Sequence, residues 1–315
     1  MSNYATKLPY IEGIDYADQF WNAARGKKGR REALLKGMDN RTGAFTITPA
    51  SQKKYSELLK KQSLFRTIAT DICTYNSDNS IKTVNEKDVA VWVPDGGSIP
   101  LSDVAEDFEN LSLDSYKLAT FLKIEESFVQ DASFNFEDYL LKRFAKDFGR
   151  GEDDAFINGT GVDMPTGILA DNGGADIGVK AQPITYEDIV KLFFSVEPEY
   201  RKNAVWIMND ETALVLRTLK DENGNYIWNH TNDTILGKKV FISEFMPSAT
   251  TGAKPIAFGD FSYYWIVNRS PLSVRTLTEQ FIISGCIGYL AFELLDGKLL
   301  RPEAIKVLQI ADTNV

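Results

Sequence analysis

Phe136, Leu140, Phe144 and Phe148 recur at every fourth position, and few patterns tie a chain so firmly to one local geometry. At 3.6 residues per turn these side chains form one stripe along a helix, which Tyr139 and Leu141 widen. The start is marked as well. Asn135 is placed to cap, while Glu137 and Asp138 face the positive end of the helix dipole. Gly149 and Gly151 are expected to weaken or bend the helix, each at about 1 kcal/mol relative to Ala. Ala155 and Phe156 lie further along, and Asn158-Gly159-Thr160-Gly161 stops it.

An earlier helix opens at Thr48-Pro49, with Thr as cap and Pro in the first turn, carries Tyr55, Leu58 and Leu59 on one side, and ends near Gln62. After a Gly-rich passage, Thr185 caps a helix with Ile189, Leu192, Phe193 and Val196 inside. Ala204 to Met208 reads as a buried strand, Asn209 caps a helix through Leu219, and Asn223-Gly224 marks a tight turn. Further strands are expected over Lys239 to Ser243, Pro255 to Phe258, Tyr263 to Asn268 and Leu272 to Thr276. The fold class is α+β.

Two stretches read differently. Residues 1–44 are polar and mixed in charge, with a basic run at Arg25, Lys27, Lys28, Arg30 and Arg31, and read as an arm. Over residues 67–123 short strand-like pieces (Ile68 to Tyr75, Ile81 to Val84, Val89 to Val93) precede an acidic stretch containing Asp103, Glu106, Asp107, Glu109 and Asp114. An isolated hairpin is marginally stable in water. A long exposed loop lying on another subunit is the reading that fits.

The chain has 315 residues, 43% of them hydrophobic, enough for one large or two ordinary domains. No stretch approaches the roughly 18 apolar residues of a membrane helix, and the polar start lacks a signal-peptide pattern, so a soluble cytoplasmic product is expected. A net charge of -9 argues against gripping nucleic acid over the whole surface. Cys73 and Cys286 suggest neither a disulfide framework nor a zinc site and are expected to be buried thiols. The single histidine, His230, leaves little scope for triads or proton shuttles.

Carboxylates cluster at Glu125, Glu126 and Asp131 and again at Glu152, Asp153 and Asp154, and paired acids can divide acid and base roles or bind Mg2+. Consecutive helical residues, however, point about 100° apart, and such runs are usually a solvated face. Gly149-Arg150-Gly151 does not extend to a nucleotide-binding glycine fingerprint. No catalytic, cofactor-binding or metal residue is assigned.

Several passages stand in an order that resembles the major capsid proteins of tailed bacteriophages, the HK97-like fold family. They are Lys123-Ile124-Glu125-Glu126-Ser127 through Asp131, Glu152 through Gly161, and Pro165-Thr166-Gly167-Ile168-Leu169. Then follow Tyr200 through Asn209, Leu219 through Tyr226, Leu236-Gly237-Lys238-Lys239-Val240, Met246-Pro247, Phe258-Gly259-Asp260-Phe261 and Pro302-Glu303-Ala304. The resemblance implies an N-terminal arm (1–44), a peripheral domain with a spine helix (45–66 and 124–184), an extended loop (67–123), an axial domain (185–267), and a return to the peripheral domain (268–315).

It also implies a structural subunit that assembles with itself as hexamers and pentamers of an icosahedral shell. The shell would enclose double-stranded DNA without sequence-specific binding, and would be built in the bacterial host cytoplasm with no membrane involved. A scaffolding protein, a portal and a decoration protein are the implied partners. Scaffolding is expected from a separate protein, from the arm, or from a segment this chain lacks. An encapsulin-like compartment enclosing cargo enzymes is the alternative. Expected intersubunit contacts are Phe20, Trp21 and Arg25 in the arm and Lys82, Lys87, Trp92 and Asp107 in the loop, since aromatic and Arg side chains in polar segments are common interface anchors. Some family members weld subunits by an isopeptide bond between a loop Lys and an Asn, with a Glu as base. Lys82 or Lys87 could supply the amine, but Gly285 and Phe292 stand where Asn and Glu are needed. Glu293 lies one residue off and Asn268 far outside the aligned segment. A noncovalent shell is expected.

Overall fold

The computed structural model describes residues 14–27, 34–35, 37–39, 44–74, 80–84, 108–112, 114–131, 133–220, 224–226, 228–229 and 231–311. The chain begins with α1 (Ile14–Ala24), the short β1 (Met38–Asp39) and β2 (Ala44–Thr46), then α2 (Pro49–Gln62) and α3 (Phe65–Ile68). β3 (Thr70–Cys73), β4 (Ser80–Val84), β5 (Phe108–Ser112) and β6 (Tyr116–Glu125) lead into α4 (Glu126–Gln130) and α5 (Phe136–Asn158). β7 (Asp176–Ala181), α6 (Tyr186–Ser195), α7 (Pro198–Arg201), β8 (Val205–Met208) and α8 (Asp210–Thr218) follow. The remaining strands are β9 (Trp228–Asn229), β10 (Thr234–Ile235), β11 (Lys238–Ile242), β12 (Ile256–Gly259), β13 (Tyr264–Leu277), β14 (Cys286–Leu299) and β15 (Ile305–Ile310).

The helices start where side chains can take up their free N–H groups. Thr48 accepts from the Ser51 amide at 3.2 Å, Asn135 from Asp138 at 3.2 Å and Asn209 from Thr212 at 2.8 Å. Thr185 and Asp188 cap each other reciprocally. α5 runs through both glycines without interruption. At Gly149 a Cβ would sit 3.1 Å from the Gln62 Cβ, so the glycine lets the end of α2 lie close against the long helix.

One sheet has the order β1-β2-β13-β14-β6, with β3 added parallel to β13. A seven-stranded sheet has the order β7-β15-β12-β8-β11-β10-β9, and among the described residues β4 and β5 pair only with each other. α1, α2 and the first half of α5 cover the β13–β14 sheet, burying Tyr16, Phe20, Tyr55, Phe144, Phe148 and Tyr289 together. The far end of α5 places Phe156 and Ile157 in a second core with Phe65, Ile207, Tyr264 and Ile305, which joins the two sheets. A third core packs α6 and α8 on the seven-stranded sheet around Trp206, Phe258 and Leu308.

Several expectations need correction. Ile68 ends a helix and does not open a strand. The expected loop is too wide, because β3 and β6 at its two ends are hydrogen-bonded strands of the body. Tyr263 to Asn268 and Leu272 to Thr276 are parts of one strand, β13, whose register shifts near Ser270. Of the last two strands, β14 lies beside β13 and β6, and β15 sits between β7 and β12 in the seven-stranded sheet.

Candidate assembly surfaces and a buried ionic junction

The arm candidates turn inward. Tyr16, Phe20 and Ala24 recur every fourth residue along α1, and their stripe is buried, with Phe20 only 4% exposed. The Tyr16 hydroxyl donates to the Thr46 carbonyl, and the Tyr289 hydroxyl donates to the Ala24 carbonyl at 2.8 Å. Trp21 is partly buried, edge-on to Phe20 and Phe136. Arg25 lies over the Phe136 ring, 5.4 Å from its centroid, and donates to the Val129 carbonyl at 3.2 Å. These three side chains therefore anchor α1 to its own subunit, and Phe20 keeps almost no surface for a neighbour. The signal was the Tyr16/Phe20/Ala24 spacing, which marks an amphipathic helix inside the polar segment. Of the loop candidates, Lys82 lies on β4, while Lys87, Trp92 and Asp107 lie outside the described residues, as does His230.

Of the carboxylates at 152–154 only Asp154 is solvated. They do fan out, but Glu152 is fully buried and Asp153 nearly so. Asp153 accepts from the Ser63 hydroxyl at 2.7 Å and from the Leu64 and Phe65 amides at 2.8 and 3.1 Å, holding the start of α3 against α5. Burial raises its pKa, against the pull of these bonds. Glu152 accepts two bonds from Arg66, through Nε at 2.9 Å and through Nη2. Arg66 also reaches Asp71 Oδ1 at 3.0 Å and Asn268 Oδ1 at 2.8 Å. Its own burial disfavours the charge, but the Glu152 carboxylate outweighs that and keeps the guanidinium charged.

Glu293 completes the junction. Burial pushes its pKa well above the carboxylate range, the Glu152 charge adds to this, and Arg66 and the Tyr55 hydrogen bond oppose it. One oxygen accepts from the Tyr55 hydroxyl at 3.0 Å, and the other has no donor within reach. Two buried acids with Arg66 beside them make a junction whose parts come from α2, α3, β3, α5, β13 and β14.

Of the residues weighed for isopeptide chemistry, Gly285 closes a turn at φ 60°, and Phe292 lies beneath the Lys117 ammonium, 3.9 Å from its ring centroid. Asn268 does line the same small pocket as Glu293. Its amide is committed, however, donating to Asp71 and to the Ile72 carbonyl at 3.3 Å while accepting from Arg66.

Glu125, Glu126 and Asp131 are exposed, as expected of solvated acids. Asp131 is held below the usual carboxylate range by the Ser133 hydroxyl and amide. The thiols depart from expectation, since Cys73 is exposed and Cys286 half-buried. Among the described residues no His, Cys, Asp and Glu group is arranged to hold a metal, and no helix is long and apolar enough to cross a membrane.

No curated protein sequence matches the chain. Among solved structures, the capsid of a native GTA particle is 28% identical, with a TM-score of 0.62 over 79% of this chain and 90% of that one. A structure from Microbacterium phage Oxtober96 is 18% identical, with a TM-score of 0.58 over 79% and 91% of the two chains. One from Gordonia phage Cozz is 14% identical, with a TM-score of 0.58 over 80% and 87%. The phage capsid family matches residues 43–310. With both sheets, the long helix and most of its length inside that match, this chain belongs to the phage capsid family and is a structural major capsid protein of the HK97-like fold.

Proposed function

We propose that copies of this chain close into an icosahedral shell around double-stranded DNA, assembled in the bacterial host cytoplasm with a scaffolding protein, a portal and, in the finished particle, a decoration protein. The observation that carries the reading, beyond the family itself, is the β4–β5 hairpin. Among the described residues it forms its own two-stranded sheet and shares no ladder with either large sheet. Two strands alone are marginal in water, so a neighbour's surface is the natural support. The net charge of -9 fits a wall that contains DNA without binding it tightly. The chain does no chemistry in this reading, and its subunits are held by noncovalent contacts. Supporting this, Glu293 is locked into the ionic junction and the Asn268 amide into its hydrogen bonds. The test is expression alone and with a phage-encoded scaffold, followed by sedimentation and electron microscopy. Shells or capsomers are expected; a compact 35.3 kDa species at every concentration, with and without scaffold, overturns the proposal.

A further inference from the structure

Asn-Gly occurs three times in the chain, at Asn158-Gly159, Asn172-Gly173 and Asn223-Gly224. This dipeptide can react with itself. The backbone nitrogen of the glycine reaches the side-chain carbon of the asparagine before it, because no Cβ stands beside the attacking atom. Asn223 lies outside the described residues. In the other two pairs both asparagines are exposed, so exposure does not choose between them.

Their surroundings do. The Asn158 carboxamide donates to Asp154 Oδ1 and to the Phe245 carbonyl, each at 2.9 Å, and the Gly159 amide donates to the Ala155 carbonyl at 2.9 Å. Gly159 is also walled in, since a Cβ there would lie 2.1 Å from the Pro165 carbonyl oxygen. A reaction at this pair must first break hydrogen bonds and move the end of α5. Asn172 sits instead in an exposed turn, where Gly173 takes φ 76°. Among the described residues neither the Asn172 carboxamide nor the Gly173 amide makes a hydrogen bond. Outside its chain neighbours, the nearest atom to a Cβ at Gly173 would be the Thr166 methyl, at 3.4 Å. The flanks of the turn, by contrast, are pinned. The Ala170 amide donates to the Gly167 carbonyl at 3.2 Å and the Ala175 amide to the Ile168 carbonyl at 2.8 Å. The buried Lys254 ammonium donates to the Leu169 carbonyl at 2.8 Å and to Asp171 Oδ1 at 2.9 Å.

We infer that Asn172 is a site of self-modification, which converts to isoaspartate and aspartate without an enzyme. The Gly173 nitrogen attacks Asn172 Cγ, forming a C–N bond and giving its proton to solvent, while the side-chain nitrogen leaves as ammonia. Water then opens the succinimide ring: one of its two C–N bonds breaks, the hydroxyl stays on the carbonyl carbon, and the nitrogen regains a proton. Opening at the main-chain carbonyl leaves isoaspartate, and opening at the side-chain carbonyl leaves aspartate. Either product adds a carboxylate beside Asp171 and Lys254. The isoaspartyl form also lengthens the main chain by one methylene. The turn has little room for it, because its flanks are pinned and a Cβ at Gly174 would already lie 2.2 Å from the Ala170 carbonyl oxygen. The inference stands on this turn alone and does not depend on the shell.

The test uses the full chain. It is aged in mildly alkaline heavy-oxygen water, digested, and its Asn158 and Asn172 peptides are followed by mass spectrometry, with a urea-unfolded sample alongside. In the folded chain the Asn172 peptide should exchange its amide nitrogen for labelled oxygen, with isoaspartate the larger product. The Asn158 peptide should react at least about tenfold more slowly, since its hydrogen bonds must open first. In the unfolded sample the two peptides should react at similar rates, which shows that the fold makes the difference. Asn172 staying intact in the folded chain while the unfolded chain converts overturns the inference, and so do equal rates at the two sites in the folded chain.

Discussion

Burial, with the Glu152 charge adding to it, raises the Glu293 pKa, which makes folding sensitive to pH in a direction opposite to that of most carboxylates. Its folded pKa is raised above the ordinary 4.5, so the folded chain keeps a proton that the unfolded chain releases. Stability from this group is full at low pH and declines as pH rises above about 4.5 toward the folded pKa. Glu293→Gln keeps an acceptor for Tyr55 and cannot ionise. The variant should melt at or above the wild-type temperature at pH 8 to 9, with a smaller loss between pH 5 and pH 9; thermal melts across that range check it. Glu152→Gln should behave differently. It leaves the buried Arg66 short of its counter-charge and should cost about 3–5 kcal/mol at neutral pH, as breaking a buried pair does, read by denaturant titration.

At the level of elements, removing Ile81 to Val93 and closing the gap with a short Gly linker should spare the subunit and stop the shell. Among the described residues β4 contributes no ladder to either large sheet. The melting transition should therefore survive, and closed particles should be absent by electron microscopy. A cooperative loss of the fold, or normal shells, contradicts the assignment.

What was legible in the sequence follows from how each element is buried. α5, α6 and α8 are packed on one side and capped by Asn or Thr, so spacing and caps reveal them. β14 was missed. Buried positions run along both of its faces, from Ile287 through Leu299, so it lacks the alternation that marks a strand. β6 does alternate, but Phe121 sits on the exposed face beside Phe281, and an aromatic there breaks the pattern. The ionic junction was illegible for a different reason. Arg66, Glu152, Asn268 and Glu293 are far apart in sequence, and only the crossing of α3 and α5 over the β13–β14 ladder brings them together. Nor does α1 stand out by composition, because its buried stripe lies within a segment that is polar on average.

Across the whole molecule, a noncovalent shell should dissolve to a single band near 35.3 kDa when boiled in detergent. Ladders of multimers that survive boiling and reductant, and vanish when Lys82 and Lys87 are replaced by Arg, would show a covalent weld. The placement of β15 has a separate consequence. Its Ile305, Val307 and Leu308 are completely buried between β7 and β12. A ribosome must have polymerised residue 310 before the seven-stranded sheet can close. Products released early through a nonsense codon or a stalled message would lack a central strand, and a chain ending at Pro302 should show protease sensitivity over residues 176–259 in limited digestion.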